Sequence, residues 1–223
     1  MDTLSQESLA SFIDHTLLDP NANETQIKNL CDEAKLYGFK TVCIESKWLT
    51  LAQSQLRDCN VLPITVIDFP GGQSCPEKKH QETIEAIKNG AKEIDMVLNR
   101  QLLHDRDLTG LFHDISAVIK ASDSIPVKVI IETSELSDEE KVIACAISSA
   151  AGAAFVKTST GFTKSGATKG DIELMRRTVG PHLGVKASGG VRTLDAALKM
   201  IQAGASRIGS SSSCKIIDKL NGL

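Results

Sequence analysis

Apolar positions along this chain fall into short runs, and amphipathic stretches of ten or more residues separate them. The clearest run, residues 127–131, is Val-Lys-Val-Ile-Ile, and such nearly continuous aliphatic runs are typical of strands buried on both faces of a sheet. Helical patterns over residues 79–89, 138–151 and 194–203 each lead directly into such a run. This alternation indicates parallel βαβ units.

A short repeat marks the passage from helix to strand. It reads Gly-Ala, two residues, an aliphatic residue and a residue of functional interest, and copies begin at Gly90, Gly152 and Gly204. A looser fourth copy begins at Gly38. Glycine can adopt the left-handed backbone that ends a helix, and a short loop then enters the next strand. Strand candidates without this lead-in cover residues 12–14, 62–68, 127–132 and 184–188, which makes eight strands.

Helix starts support the same division. Ser137-Asp138-Glu139-Glu140 is a capping box, and the four residues from Thr168 to Asp171 resemble one. An open doubly wound sheet would show the same local pattern, but eight units without a Gly-x-Gly-x-x-Gly fingerprint favour closure of the sheet. The sequence therefore predicts an α/β fold, a TIM (β/α)8 barrel, as a single domain over residues 1–223.

Composition narrows the class of partner. The 223 residues are 41% apolar and carry 25 basic against 28 acidic side chains, with 4% aromatic residues and no basic run, which argues against nucleic acid. No segment approaches the roughly 20 apolar residues that span a bilayer, so no membrane association is expected. The first ten residues are acidic and polar with no apolar stretch behind them. We therefore expect a cytoplasmic protein that acts on a small metabolite.

Cysteine and histidine spacing bears on metals and disulfides. The six cysteines lie far apart without a Cys-x-x-Cys pair, which disfavours both disulfides and a zinc ribbon. The five histidines show no close pairing of the kind that places two imidazoles on one helix face. The sequence therefore predicts no metal site and no cofactor.

Chemically capable residues follow the predicted strands. In a (β/α) barrel the carboxyl ends of the strands meet at one mouth, so residues distant in sequence can lie together there. Lys157 and Lys186 each follow an apolar stretch, and a buried ammonium loses hydration at a cost of several kcal/mol unless it is compensated. The predicted strand-end residues are Asp14, Asp68, Asp95, Glu132, Lys157 and Lys186.

These residue types suit Schiff-base chemistry. A desolvated amine beside a second cation has a lowered pKa, and its neutral form attacks carbonyl groups. We expect Lys157 to be that amine, Lys186 the second cation and Asp95 the group that moves protons. A structural salt bridge between Asp95 and one lysine remains the alternative. Lys128 is expected to be a supporting ion-pair partner, with a substrate contact as its alternative.

Three segments late in the chain, residues 158–161, 188–192 and 209–213, are rich in glycine, serine and threonine. Glycines let backbone N–H groups approach an anion, and the serine run would begin a helix over residues 214–220 whose N-terminus carries partial positive charge. Flexible loops would have the same composition. Because all three segments follow late strands, where barrels often bind phosphate, we expect a phosphorylated substrate.

Five ordered stretches show a family resemblance. They are Ile-Asp-His-Thr-Leu-Leu (13–18), Glu-Ile-Asp-Met-Val (93–97), Val-Lys-Val-Ile-Ile-Glu-Thr (127–133), Phe-Val-Lys-Thr-Ser-Thr-Gly-Phe (155–162) and Val-Lys-Ala-Ser-Gly-Gly-Val-Arg-Thr (185–193). Over nearly its whole length the chain resembles the deoxyribose-phosphate aldolases. The resemblance implies a class I aldolase on a TIM barrel that reversibly cleaves 2-deoxy-D-ribose 5-phosphate into acetaldehyde and D-glyceraldehyde 3-phosphate.

The resemblance also implies a role for individual residues. The family's Schiff-base lysine falls on Lys157, its second active-site lysine on Lys186 and its proton-relay aspartate on Asp95. The implied sugar contacts are Asp14, Thr16, Thr158 and Thr160. The implied phosphate contacts are Gly161, Gly189, Gly190, Gly209, Ser211 and Ser212.

The sequence departs from the family pattern at four places. Glu45-Ser46 stands where many members have Asn-Pro, Asp68 where Gly or Asn is usual, and Asp19 where lysine is common. The last four residues lack the tyrosine with which many relatives end. Slower proton exchange or a shifted substrate preference is the expected consequence.

Two other functions stay open. A phosphosugar-binding barrel without turnover would keep the anion loops, and a different Schiff-base aldolase would keep the lysines but take another phosphosugar. A homodimer is the expected assembly, because a barrel has helical faces free for self-association.

Overall fold

The computed structural model describes residues 5–222, and its centre is a closed barrel of eight parallel strands. Each strand pairs with the next in sequence, and β8 pairs with β1 to close the barrel. The predicted TIM barrel is therefore confirmed. The strands are β1 (Ile13–Leu17), β2 (Thr41–Ile44), β3 (Leu62–Ile67), β4 (Ile94–Val97), β5 (Val127–Ile130), β6 (Phe155–Lys157), β7 (Gly184–Ser188) and β8 (Arg207–Ser210).

Helices connect the strands and cover the outside of the barrel. Capping boxes begin the helices after Asn23 and Ser137, and the Thr168 side chain accepts a hydrogen bond from the backbone N–H of Asp171, as its sequence predicted. The helices are α1 (Gln6–Ala10), α2 (Glu24–Tyr37), α3 (Leu49–Gln55), α4 (Pro76–Lys88), α5 (Arg100–His104), α6 (Leu108–Ala121), α7 (Asp138–Ala150), α8 (Lys169–Val179), α9 (Leu194–Gln202) and α10 (Ser213–Leu220). Across residues 5–222, no helix is both long enough and apolar enough to cross a membrane.

The glycines of the helix-to-strand repeat have the predicted backbone. Gly38 ends α2 in the left-handed conformation with φ +71°, and Gly90, Gly152 and Gly204 have φ of +109°, +95° and +111°. A side chain on Gly204 would also meet Arg176, since an added Cβ would lie 2.8 Å from its Cγ. The repeat is therefore a turn signal with a steric basis.

The apolar core lies between the barrel and its helices. Side chains alternate across each strand, so Val127 and Val129 of β5 join this core while Lys128 between them faces the barrel interior. A smaller apolar cluster around Cys43 and Ile64 belongs to β2 and β3. Charged side chains occupy the rest of the interior, and they form the site described next.

The prediction that the polar residues end their strands is wrong for Asp14, Asp95 and Lys186. β1 continues for three residues beyond Asp14, because its hydrogen-bonded pairing with β2 extends to Leu17. β4 continues to Val97, and β7 to Ser188. These three side chains consequently lie deeper in the barrel than its mouth.

Candidate active site

Seven charged side chains meet inside the barrel, and none is more than 7% exposed. An isolated buried charge is costly, so burial of this many requires mutual pairing. Six of the residues lie on strands, and Glu93 directly precedes β4. We call these seven residues the charged cluster: Asp14, Glu93, Asp95, Lys128, Lys157, Lys186 and Arg207.

Asp95 is the centre of the charged cluster. Its Oδ2 accepts hydrogen bonds from Lys157 Nζ at 2.8 Å and from Lys186 Nζ at 2.7 Å. Its Oδ1 accepts from Lys128 Nζ at 2.7 Å. The register of β6 and β7 places Lys157 directly beside Lys186. The structure thus brings together the three residues that the sequence singled out, with Lys128 as an ion-pair partner.

Asp14 and Glu93 pair with the remaining cations. Asp14 contacts Lys186, and its Oδ1 accepts a hydrogen bond from Arg207 at 2.8 Å. Glu93 lies 2.6 Å from Lys128 Nζ and 3.0 Å from an Arg207 nitrogen. Asp14, expected as a sugar contact, is fully buried among charged partners.

Sequence reasoning missed Glu93 and Arg207, although a signal was present. Side chains two residues apart on a strand face the same side of the sheet. Glu93 is two residues before Asp95, and Arg207 is two residues before Gly209, so each shares a face with a predicted site residue. Counting back two residues along the chain from Asp95 and from Gly209 would have identified both.

The balance of charge in the cluster favours one neutral amine. Four cationic side chains face three carboxylates, which leaves one excess positive charge when all are ionised. Burial lowers the pKa of Lys157, and the charge of Lys186 lowers it further while Asp95 opposes the shift. Burial would also lower the pKa of Lys186, but Asp14 and Asp95 raise it above its ordinary value. Lys157 is therefore the lysine of this pair that loses its proton more readily.

The central carboxylate stays ionised. Burial alone would raise the pKa of Asp95, yet Lys128, Lys157 and Lys186 hold it well below its usual range. With Lys157 neutral, three cations face three anions and the cluster is balanced. The arrangement can hold an unprotonated amine next to a carboxylate and an ammonium group, as nucleophilic attack on a carbonyl requires.

A pocket of about 450 Å³ opens above the charged cluster at the carboxyl ends of the strands. Of the seven cluster residues, all within the described range, only Lys157 lines it. Its wall combines the loops that follow β1, β6, β7 and β8. Predicted residues on this wall are Lys157, Thr16, Thr160, Gly161, Gly189, Gly190, Gly209 and Ser211.

Other predicted contacts lie off this wall. The Thr158 hydroxyl donates to the Ser188 carbonyl at 2.9 Å, and it accepts from the Ser188 N–H at 3.0 Å, so it joins β6 to β7. Ser212 precedes α10, and its N–H donates to Ser210 Oγ at 3.0 Å. The wall also includes residues that sequence reasoning did not assign: Leu17, Leu18, Pro20, Phe162, Ser188, Val191, Arg192 and Ser210, together with Asp19.

The far end of the pocket suits an anion. Gly189 and Gly190 have φ of +81° and +75°, and an added Cβ on Gly190 would meet no atom within 4 Å. Arg192 on the same loop is exposed and lines the pocket. Gly209 has a further role, because an added Cβ would lie 3.1 Å from Lys186 Cε. Glycine N–H groups beside a cation are typical of anion-binding sites.

Three of the departures from the family pattern lie in the segments that follow β1, β2 and β3. Asp68 has φ +52°, a conformation that Gly and Asn adopt most readily and that Asp tolerates. Its carboxylate accepts from the N–H and the hydroxyl of Ser74 at 2.8 and 2.7 Å, which fixes the loop after β3. Glu45 pairs with Lys47 at 2.6 Å, and Asp19 lines the pocket. Leu223, the last residue of the tail without tyrosine, is outside the described residues.

Glu132 holds the loop that follows β6. It is fully buried with φ +59°, and its carboxylate accepts from the Thr160 N–H at 3.2 Å, the Thr160 hydroxyl at 2.5 Å and the Thr163 hydroxyl at 3.0 Å. We expect Glu132→Ala to lower the free energy of unfolding by about 1–3 kcal/mol, because buried donors lose their acceptor. Denaturant unfolding measures this loss. Glu135→Ala is the control, since the Glu135 side chain is exposed and its ion pair with Arg100 is 3.4 Å long; equal losses would contradict the assignment.

Comparisons with known proteins identify the family and support the fold. The profile of the DeoC/LacD family aldolases matches residues 9–219. A deoxyribose-phosphate aldolase of Halalkalibacterium halodurans is 54% identical over 213 residues, covering 95% of each chain. Deoxyribose-phosphate aldolase 1 of Bacillus licheniformis is 52% identical over 215 residues, covering 96% of each. The tetrameric deoxyribose phosphate aldolase of Aeropyrum pernix superposes with a TM-score of 0.91 at 34% identity, covering 97% of this chain and 92% of that one.

The barrel, the buried lysines and these matches define a class I aldolase, a lyase that works through a lysine Schiff base. The chain belongs to the DeoC/LacD aldolase family.

Proposed function

We propose that this aldolase cleaves 2-deoxy-D-ribose 5-phosphate reversibly into acetaldehyde and D-glyceraldehyde 3-phosphate, with Lys157 as the Schiff-base lysine. One observation carries the assignment of the lysine. Lys157 has a lowered pKa, and within residues 5–222 it alone of the charged cluster lines the pocket. Lys128 and Lys186 are more deeply buried behind it, where each is paired with carboxylates. The named relatives, which are deoxyribose-phosphate aldolases, support the substrate.

The first steps build an iminium ion. Neutral Lys157 attacks the C1 aldehyde of the open-chain sugar and forms a carbinolamine. Asp95, hydrogen-bonded to Lys157 and Lys186, carries protons between the carbinolamine and Lys186 as water leaves. The iminium takes the positive charge that Lys157 lacked as a free amine. Asp95 then lies beside that charge and stabilises it.

Carbon–carbon cleavage follows from the iminium. The C3 hydroxyl loses its proton as the C2–C3 bond breaks, and the bonding electrons move into the iminium to give an enamine on Lys157. Glyceraldehyde 3-phosphate, which carries C3 to C5, leaves first. Protonation of the enamine at C2 and hydrolysis then release acetaldehyde and restore the amine. Asp95 and Lys186 are the cluster residues beside Lys157 that supply and remove these protons.

Phosphate binding orients the sugar for these steps. We propose that Gly161, Gly189, Gly190 and Ser211 hold the phosphate, with Arg192 as an added cation on the same wall. Thr16 and Thr160 also line the pocket and are the proposed contacts of the sugar. Binding at a remote group positions the aldehyde without touching it, so an unphosphorylated sugar loses rate as well as affinity.

Borohydride trapping tests the proposal directly. The enzyme is incubated with 2-deoxy-D-ribose 5-phosphate and borohydride, which reduces the iminium to a stable amine, and the modified peptide is located by mass spectrometry. We expect a single adduct on Lys157 and none when the sugar is omitted. An adduct on Lys128 or Lys186 would refute the assignment of the lysine. A retro-aldol assay that compares 2-deoxy-D-ribose 5-phosphate with other phosphosugars would reveal a different substrate. Binding of the sugar without any product would indicate a barrel without turnover.

Assembly and location are further proposals. We propose one catalytic domain over residues 1–223 that associates as a homodimer, supported by exposed apolar side chains on the neighbouring helices α4 and α6, namely Ile84, Leu108 and Phe112. Sedimentation that gives the mass of one chain would contradict the dimer. A cytoplasmic location is supported by six free cysteines, including the exposed Cys75.

A further inference from the structure

A second group of polar side chains lies behind β1, on the outer side of the barrel. His15 follows Asp14 on β1 and points the opposite way, towards α2 and α10. There it meets Glu33 of α2 and Cys214 of α10, and the potential ligand atoms of the three residues all lie within 4.8 Å of one another. The steps proposed for the aldolase use none of these side chains.

One nitrogen of the His15 ring, Nδ1, faces two oxygen atoms. It is 3.0 Å from the Ser213 hydroxyl oxygen, and that hydroxyl can donate its own hydrogen to the Ser210 carbonyl at 3.0 Å. The Ser210 carbonyl is also a hydrogen-bond acceptor for the ring. One tautomer of the neutral ring therefore has its proton on Nδ1, directed at these oxygens.

The opposite nitrogen then faces a carboxylate. In that tautomer Nε2 has a free lone pair, and it lies 2.7 Å from Glu33 Oε2. Two electron-pair donors at this separation need a cation between them, either a proton or a metal ion. His15 is buried, whereas the Glu33 side chain is half-exposed, so a cation can enter from solvent on the Glu33 side.

Cys214 adds a third potential ligand. A shared proton involves only the imidazole and the carboxylate, whereas a metal ion can also use the Cys214 sulfur, which lies within 4.8 Å of both ligand atoms. Nitrogen, oxygen and sulfur ligands together are the set that Zn²⁺ prefers among the common divalent ions. The metal would displace the thiol proton and any proton between His15 and Glu33, and both would leave to solvent.

We propose that His15, Glu33 and Cys214 form a binding site for a zinc-class divalent cation, with water as the fourth ligand. Nitrogen and oxygen ligands of one tetrahedral zinc lie about 3.4 Å apart. Glu33 must therefore move outward by about 0.7 Å, which its half-exposed side chain permits. The ion would link β1, α2 and α10. Helix α10 begins at Ser213, directly after the segment that contains the pocket residues Ser210 and Ser211. Binding consequently stabilises the fold against heat.

Cobalt titration of the full chain tests this site, because a Co²⁺–thiolate bond gives a charge-transfer absorption in the near ultraviolet. The titration uses a Cys75→Ser background, since Cys75 is an exposed thiol that could bind metal by itself. We expect one equivalent of Co²⁺ to bind with this absorption, Zn²⁺ to displace it, and Zn²⁺ to raise the melting temperature. Glu33→Gln is expected to weaken binding roughly tenfold or more, by the loss of an anionic ligand.

Cys214→Ser and Cys145→Ser form the matched pair. Cys145 is a buried cysteine on α7, outside the group, so its serine variant should keep the charge-transfer absorption. Cys214→Ser should lose it while it retains retro-aldol activity, which shows that the variant is folded. The proposal is overturned if no charge-transfer absorption develops, or if Cys214→Ser gives the same absorption and melting shift as its background.

Discussion

Lys157→Ala is expected to lower kcat/KM for cleavage of 2-deoxy-D-ribose 5-phosphate by roughly 10⁴-fold or more, because no other lysine among residues 5–222 lines the pocket to form the iminium. Lys186 cannot take over, since Asp14 and Asp95 raise its pKa despite its burial and so keep it charged. The fold should survive the change. The variant leaves three cations facing three carboxylates, and Asp95 keeps Lys128 and Lys186 as partners. A coupled retro-aldol assay and denaturant unfolding measure the two quantities.

Lys120→Ala is the control for this prediction, because Lys120 is exposed on α6, away from the pocket. It should retain full activity. Substantial turnover by Lys157→Ala, with the loss confined to KM, would show that the lysine only binds substrate. If Lys157→Ala loses folded structure as well as activity, the activity assay is repeated with Lys157→Met, because methionine fills the same space without the amine.

Asp95→Asn and Lys186→Met are expected to shift the pH profile of the enzyme in opposite directions. Free Lys157 acts as the neutral amine, so activity falls as pH drops below its pKa. The charge of Lys186 lowers that pKa and the charge of Asp95 raises it. Removing the cation should therefore move the acidic limb of kcat/KM to higher pH, and removing the carboxylate should move it to lower pH. Both variants should also lose roughly 10²–10⁴-fold in rate, because each removes a proton carrier.

The measurement is kcat/KM from mildly acidic to alkaline pH for both variants and the unmodified enzyme. Asp95→Asn has a second readout, since it leaves four cations facing two carboxylates. Loss of one partner in a buried ion pair costs about 3–5 kcal/mol, which denaturant unfolding detects. Acidic limbs that move in the same direction would show that Lys157 is not the titrating group.

The architecture was predictable from sequence because its signals are local. Buried parallel strands give aliphatic runs, and the glycine that ends a helix gives a turn signal, as Gly38 and Gly204 show. The ends of the strands were not predictable in this way. β1 continues through His15 and Thr16, two polar residues, because β2 supplies hydrogen-bond partners as far as Leu17. Strand length here depends on the neighbouring strand, which a pattern along one segment does not contain.

The same limit applies to the site. Lys157, Lys186 and Asp95 were predictable because a charged residue inside an apolar run is costly unless it has a partner. The direction of a short polar side chain was not. Thr158 faces the backbone of β7 rather than the pocket, and only the packing of two strands determines that choice. Sequence therefore predicted which residues come together in the barrel better than which of them line the pocket.

The seven charges of the charged cluster are divided unevenly along the chain. Asp14, Glu93 and Asp95 come from the part of the chain that ends with β4, while each of the last four strands contributes one cation. A half-barrel cut between β4 and β5 would hold cluster charges of one sign only, and neither half could bury them alone. The cations of the second half thus neutralise the carboxylates of the first. The reactive amine can form only after both halves have joined, because an unfolded chain leaves Lys157 in water, where a lysine is protonated and inert.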